Sequence, residues 1–137
     1  MSDSDFPIVI FHNPACGTSR NTVAMVEAAG YAPRVIPYLE AGWTREQLRE
    51  LASAAGLALR DLIREKGTPA QALGLLADGV SDDVILDAMV AEPILVNRPI
   101  VMTPKGVKLC RPSEVVLDLL ERRPVSFTKE DGEVVIL

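Results

Sequence analysis

Apolar positions in this chain come in short runs separated by polar turns, and the runs differ in period. Residues 7–11 (PIVIF) form a continuous apolar stretch of a length suited to a buried strand. After a polar loop, Val23, Met25 and Val26 mark the inner face of a helix expected over 21–29, with Gly30 placed to end it. RVIPYL, residues 34–39, is a second strand, and Pro37 assigns it to a sheet edge because proline has no N–H for the ladder. Thr44-Arg45-Glu46-Gln47 has the residues of a capping box, opening a helix that runs to Gly56. Further helical stretches are expected at 58–66, 69–76 and 82–90, the last opened by Ser81-Asp82-Asp83. Two strands at 100–103 and 107–110 are joined through Pro104-Lys105-Gly106 as a hairpin. Pro112 and Glu114 start a helix reaching about residue 122, and the tail PVSFTKEDGEVVIL carries no clear period.

No repeat, low-complexity tract or linker interrupts this pattern, so 1–137 is read as one domain with a helical insert at about 44–91. The order β-α-β, helical insert, β-β-α is that of a thioredoxin-like α/β domain. Two opening strands around one helix imply a parallel pair with a right-handed crossover. The expected result is a mixed four-stranded sheet, with the insert between the second and third strands.

Composition narrows the function. A chain of 137 residues with 48% hydrophobic content can bury a real core. The net charge of -5 argues against a general binder of nucleic acid or of membrane surfaces. No apolar run approaches the ~18 residues of a membrane span, and the acidic MSDSD start carries no export signal, so a cytoplasmic protein is expected. Two distant cysteines, Cys16 and Cys110, make no disulfide framework, and with one histidine they cannot close a structural zinc site. No metal is therefore expected.

The segment HNPACGTSRNT, residues 12–22, carries the candidate chemistry. A residue passing from a strand into a helix meets free backbone N–H groups and the positive end of the helix dipole, and both favour an anion. For Cys16 that anion is its own thiolate, or an oxyanion docking beside it. Gly17 permits close backbone approach, while Thr18 and Ser19 offer hydroxyls. His12, if protonated, would stabilise the thiolate. A lone cysteine is commonly an inert filler, but polar, small, turn-forming flanks suit a filler badly. Cys110, in the apolar stretch VKLC, is read as one.

Spacing excludes two cysteine chemistries. A dithiol oxidoreductase needs C-x-x-C, and Ser19 stands where the second thiol would be. A phosphatase loop would place Arg six residues after the Cys, where this chain has Thr22; Arg20, entering the helix, is read as facing solvent. A monothiol nucleophile remains. Arg98 and Arg111 each precede a proline in an apolar frame, which fixes the direction of their side chains. Arg64 lies in the helical insert, within DLIREKG. Each alone is a common surface charge. Converging, such guanidinium forks would grip a tetrahedral oxyanion.

HNPACGTSRNT, PILVNRPIVMTPKG, LCRPSEVVLD and FTKEDGE together strongly resemble the glutaredoxin-dependent arsenate reductases, a likeness covering nearly the whole chain. The resemblance implies a thioredoxin-like fold that reduces arsenate to arsenite and serves arsenical resistance. It implies Cys16 as the catalytic nucleophile, His12 and Ser19 as thiolate-stabilising, and Arg64, Arg98 and Arg111 as substrate-binding. It also implies no bound cofactor, glutathione as co-substrate and glutaredoxin as partner. The alternative is a redox-responsive thioredoxin-like regulator or interaction domain without arsenate reductase activity. Regulators of that kind typically carry the C-x-x-C that Ser19 breaks.

Overall fold

A computed structural model describes residues 6–123 and 126–136; the acidic start read above lies outside the described residues. The chain divides into two compact units, Met1–Pro37 with Arg98–Leu137, and Tyr38–Asn97.

In the first unit, strands β1 (Val9–His12), β2 (Arg34–Pro37), β3 (Ile100–Thr103) and β4 (Gly106–Leu109) form one sheet in the order β2-β1-β3-β4. β1 and β2 are parallel, pairing Ile10 with Val35, and β3 runs antiparallel to β1, pairing Val101 with Ile10. This is the mixed thioredoxin-like sheet the element order predicts. Pro37 ends the edge strand, as its missing N–H requires. β1 begins later than the apolar run and ends on His12. Phe6 and Ile8 are buried without belonging to the strand, since hydrophobicity reports burial and not ladder pairing.

Helix α1 spans Gly17–Ala28, starting four residues before the expected position, and Cys16 itself is its N-cap residue. The first turn has the polar composition of a loop, but its hydroxyls are used internally: Thr22 Oγ1 donates to the Thr18 carbonyl at 2.8 Å and Ser19 is fully buried. Met25 and Val26 of α1 join Ile8, Ile10, Val101, Cys110 and Val116 in the core. The last helix contracts to a 3-10 segment, Ser113–Leu119, stopping short of residue 122. Its Val116, Leu117 and Leu119 are buried, and these anchors hold the tight turns. Beyond it, β5 (Ser126–Thr128) and β6 (Val134–Ile136) make an unpredicted hairpin.

The second unit opens with a short helix α2 (Tyr38–Ala41), so the second strand ends before Tyr38 and not at residue 39. Tyr38 is fully buried, and its hydroxyl donates to the Val96 carbonyl at 2.9 Å. α3 (Arg45–Ala55) carries the capping box as read, and Gly56 closes it at φ 70°, a left-handed conformation glycine adopts without a Cβ penalty. The stretch expected to be helical at 58–66 is a 3-10 turn, Leu59–Leu62, followed by a bridge pairing Ile63 with Val96. Residues 69–76 form turns and not a helix, with Gly74 at φ 73° interrupting any continuous run. α4 (Asp82–Ala91) is capped by Ser81, whose Oγ accepts the Val84 N–H at 3.3 Å. Arg45 of α3 pairs with Asp83 and Asp87 of α4. No helix among the described residues is long and apolar enough to cross a membrane.

Candidate active site

The loop from β1 to α1 is built by Asn13. Its Oδ1 accepts the Ala15 N–H at 2.9 Å, a turn that an Asn-Pro-Ala sequence favours, and its carbonyl accepts the Cys16 N–H at 3.0 Å. The Asn13 N–H donates to Ser19 Oγ at 3.2 Å, tying the loop's start to the first turn of α1. Both Asn13 and Ser19 are buried. Cys16 is left at the helix N-terminus with extended backbone (φ −100°, ψ 121°), and the residue is 8% exposed.

Burial alone pushes the Cys16 thiol up. A hydrogen bond from the Ser19 backbone N–H, side-chain hydrogen bonds from Arg98 and Arg111, and the charge of Arg98 outweigh it, and the thiol is lowered to about 7. Arg111 Nη1 lies 3.8 Å from the sulfur and donates at 2.8 Å to the Arg98 carbonyl. The Cys110 N–H donates to the Pro99 carbonyl at 2.9 Å, so the two Arg-Pro segments are bound together. Both Arg-Pro peptide bonds are cis. Two guanidinium groups and a peptide N–H thus surround one sulfur, an arrangement suited to a thiolate and to an anion placed against it.

His12 stands at the end of β1. Burial, then the Arg20 charge, lower its pKa below the usual 6.5, so the protonated form on which its help to the thiolate depended is disfavoured at neutral pH. Its Nδ1 is buried without a hydrogen-bond partner among the described residues. Arg64 lies in the second unit, half-buried, where its Nε donates to the Lys66 carbonyl at 3.2 Å and its Nη1 to Asn97 Oδ1 at 3.3 Å. Cys110 is fully buried, and burial pushes its thiol up to about 12. It has the character of a core residue.

Two contributors escaped the sequence reading. Asn13 organises the loop, and the Asn-Pro turn signature could have flagged it. Arg20 does not simply face solvent: it bonds to Glu130 and to the Pro14 carbonyl. No local pattern announces a partner in the tail. Among the described residues, no group of three or more His, Cys, Asp or Glu is placed to hold a metal ion.

Residues 11–119 match the ArsC family. The chain is 61% identical over 130 residues to "Arsenate reductase ArsI2" of Synechocystis, covering 94% of this chain and 93% of the relative. It is 50% identical to "Arsenate reductase" of Escherichia coli strain K12, covering 94% and 92%. Among solved structures it is similar to "Arsenate reductase from Vibrio cholerae", with a TM-score of 0.80, 40% identity and coverage of 84% of this chain and 98% of that one.

Proposed function

The chain belongs to the ArsC family, and on that premise we propose that it reduces arsenate to arsenite through the Cys16 thiolate. The observation that carries the reading is the thiol lowered to about 7 beside Arg98 and Arg111. Near neutral pH a large share of Cys16 is ionised and ready to attack.

Arg98 and Arg111 take the oxyanion, spreading its charge as the sulfur approaches arsenic. Arg64 carries the same assignment from the sequence resemblance. An As–S bond forms, and one arsenate oxygen leaves as water after protonation. Glutathione sulfur then attacks Cys16 sulfur. The As–S bond breaks with its electron pair passing to arsenic, which leaves as arsenite, and the two sulfurs are joined in a mixed disulfide. A glutaredoxin thiol removes the glutathione and restores Cys16. Ser19 supports the thiolate through its N–H; His12 contributes charge only at acid pH, when protonated. The whole chain 1–137 is the unit to assay, and a reducing cytoplasm rich in glutathione is the compartment that suits the reaction.

The test is oxidation of NADPH coupled through glutathione reductase, glutathione and a glutaredoxin. Consumption should depend on arsenate and vanish in Cys16→Ser. No arsenate-dependent consumption by the wild-type chain would leave the redox-regulator reading standing in its place.

A further inference from the structure

The turn of the tail hairpin holds two neighbouring charges that reach different parts of the first unit. Lys129 Nζ pairs with Glu114 Oε1 at 2.7 Å and Glu133 Oε2 at 3.2 Å, and the Lys129 side chain is only 11% exposed. Glu114 follows Arg111 by three residues. Glu130 accepts two hydrogen bonds from Arg20, Nε at 2.7 Å and Nη2 at 2.9 Å. The Glu130 N–H donates to Asn21 Oδ1 at 3.0 Å. Arg20 uses its remaining terminal nitrogen, Nη1, on the Pro14 carbonyl at 2.7 Å. A chain of contacts thus runs from the tail through Arg20 to the residue two before Cys16.

We propose that Glu130 is a positioning residue for the nucleophile loop, acting through Arg20 to pin the Pro14 carbonyl and so fix where the Cys16 sulfur stands. The fork–fork geometry supplies direction: with Nε and Nη2 held by the carboxylate, the guanidinium plane aims Nη1 at the loop. Exposed ion pairs contribute little to folding stability, so the pair matters through the carbonyl it fixes. Glu130 also seats against the start of α1, its Oε1 standing 3.7 Å from where a Cβ on Gly17 would lie. Small displacements of a nucleophile are costly because attack needs aligned atoms at near contact.

The two partners do the same mechanical work and opposite electrostatic work. Arg98 and Arg111 bond the Cys16 sulfur and Arg20 acts on it through its charge, while His12 is neutral near pH 7. Glu130 counters the Arg20 charge. Loss of either partner frees the loop, but loss of Glu130 favours the thiolate and loss of Arg20 disfavours it.

The proposal rests on Cys16 being the reacting nucleophile, so it is tested by turnover and by alkylation together. Glu130→Gln, Arg20→Gln and the double variant are compared with wild type in the coupled arsenate assay, in iodoacetamide labelling against pH, and in thermal unfolding. Glu130→Gln should lower kcat with KM nearly unchanged, keep the wild-type Tm, and move the Cys16 labelling midpoint down from about 7. Arg20→Gln should lower kcat and move the midpoint up. The double variant should lose no more turnover than Arg20→Gln alone, because the Glu130 carboxylate reaches the Pro14 carbonyl through Arg20. Wild-type turnover and midpoint in Glu130→Gln, additive losses in the double variant, or a kcat loss that tracks a fall in Tm would each overturn the clamp. Should the wild type fail to consume arsenate, the substrate reading falls, and the labelling midpoints still decide for or against Glu130.

Discussion

Titrating the two thiols in one experiment separates a site from a core. Cys16 sits at about 7 and Cys110 at about 12, so at pH 7 about half of the first is thiolate and about one part in 10⁵ of the second. A lower-pKa thiolate is the weaker nucleophile, and a Brønsted slope of about 0.4–0.5 returns roughly two of those decades. Cys16 should still label about 10²–10³ times faster, and the full burial of Cys110 widens the gap. Iodoacetamide labelling from pH 5 to 9, quantified on the two cysteine peptides by mass spectrometry, measures both. The Cys16 rate should climb about tenfold per unit below pH 7 and level off above it. Removing the Arg111 contact at 3.8 Å, as in Arg111→Ala, should move that midpoint upward. Equal labelling of the two cysteines across the range, or a Cys16 midpoint at the ordinary thiol value, would refute the assignment.

Replacing Arg98 or Arg111 by Lys keeps the charge and loses the fork; the loss of a charged hydrogen bond, roughly 1.5–3 kcal/mol, should cost about one to two decades in kcat/KM at unchanged Tm. Arg64→Lys should be milder, a ranking checked in the same kinetics. Cys110→Ser should stay active while Cys16→Ser is dead, and trapped intermediate should carry one glutathione on the Cys16 peptide; a Cys16–Cys110 disulfide accumulating with arsenate would contradict this. Thr44→Ala, which removes the Oγ accepting the Gln47 N–H at 3.1 Å, should lower stability by ~1 kcal/mol in urea unfolding and leave the Cys16 labelling midpoint alone.

Local chemistry was readable where one residue or a close pair decides the outcome. Thr44 and Gln47 announce their helix because two side chains satisfy two amides within four residues. Pro37 announces an edge because it lacks a donor. Cys16 announces itself by its flanks, and the arginine-proline pairs by their restricted backbone. What escaped depends on distant partners. α1 begins early with Ser19 Oγ accepting the Asn13 N–H, and composition cannot show where a hydroxyl is spent. The 69–76 stretch has helical residues, but Gly74 takes a left-handed φ and the segment closes as turns. The tail hairpin's partners Arg20 and Glu114 lie far away in sequence, so no window of its own residues could reveal it.

The proposed chemistry uses Cys16, whose thiol is lowered to about 7, while Cys110 is sealed in the core. A peroxide that converts the Cys16 thiolate to a sulfenic acid therefore meets no accessible second thiol in this chain to trap it as an internal disulfide. That intermediate can be rescued only by a thiol arriving from solution, and a second oxidation to the sulfinic acid ends the enzyme's working life. Under the proposed mechanism, survival under oxidative stress would thus be set by the glutathione concentration around the protein, the same quantity that would set its rate of turnover.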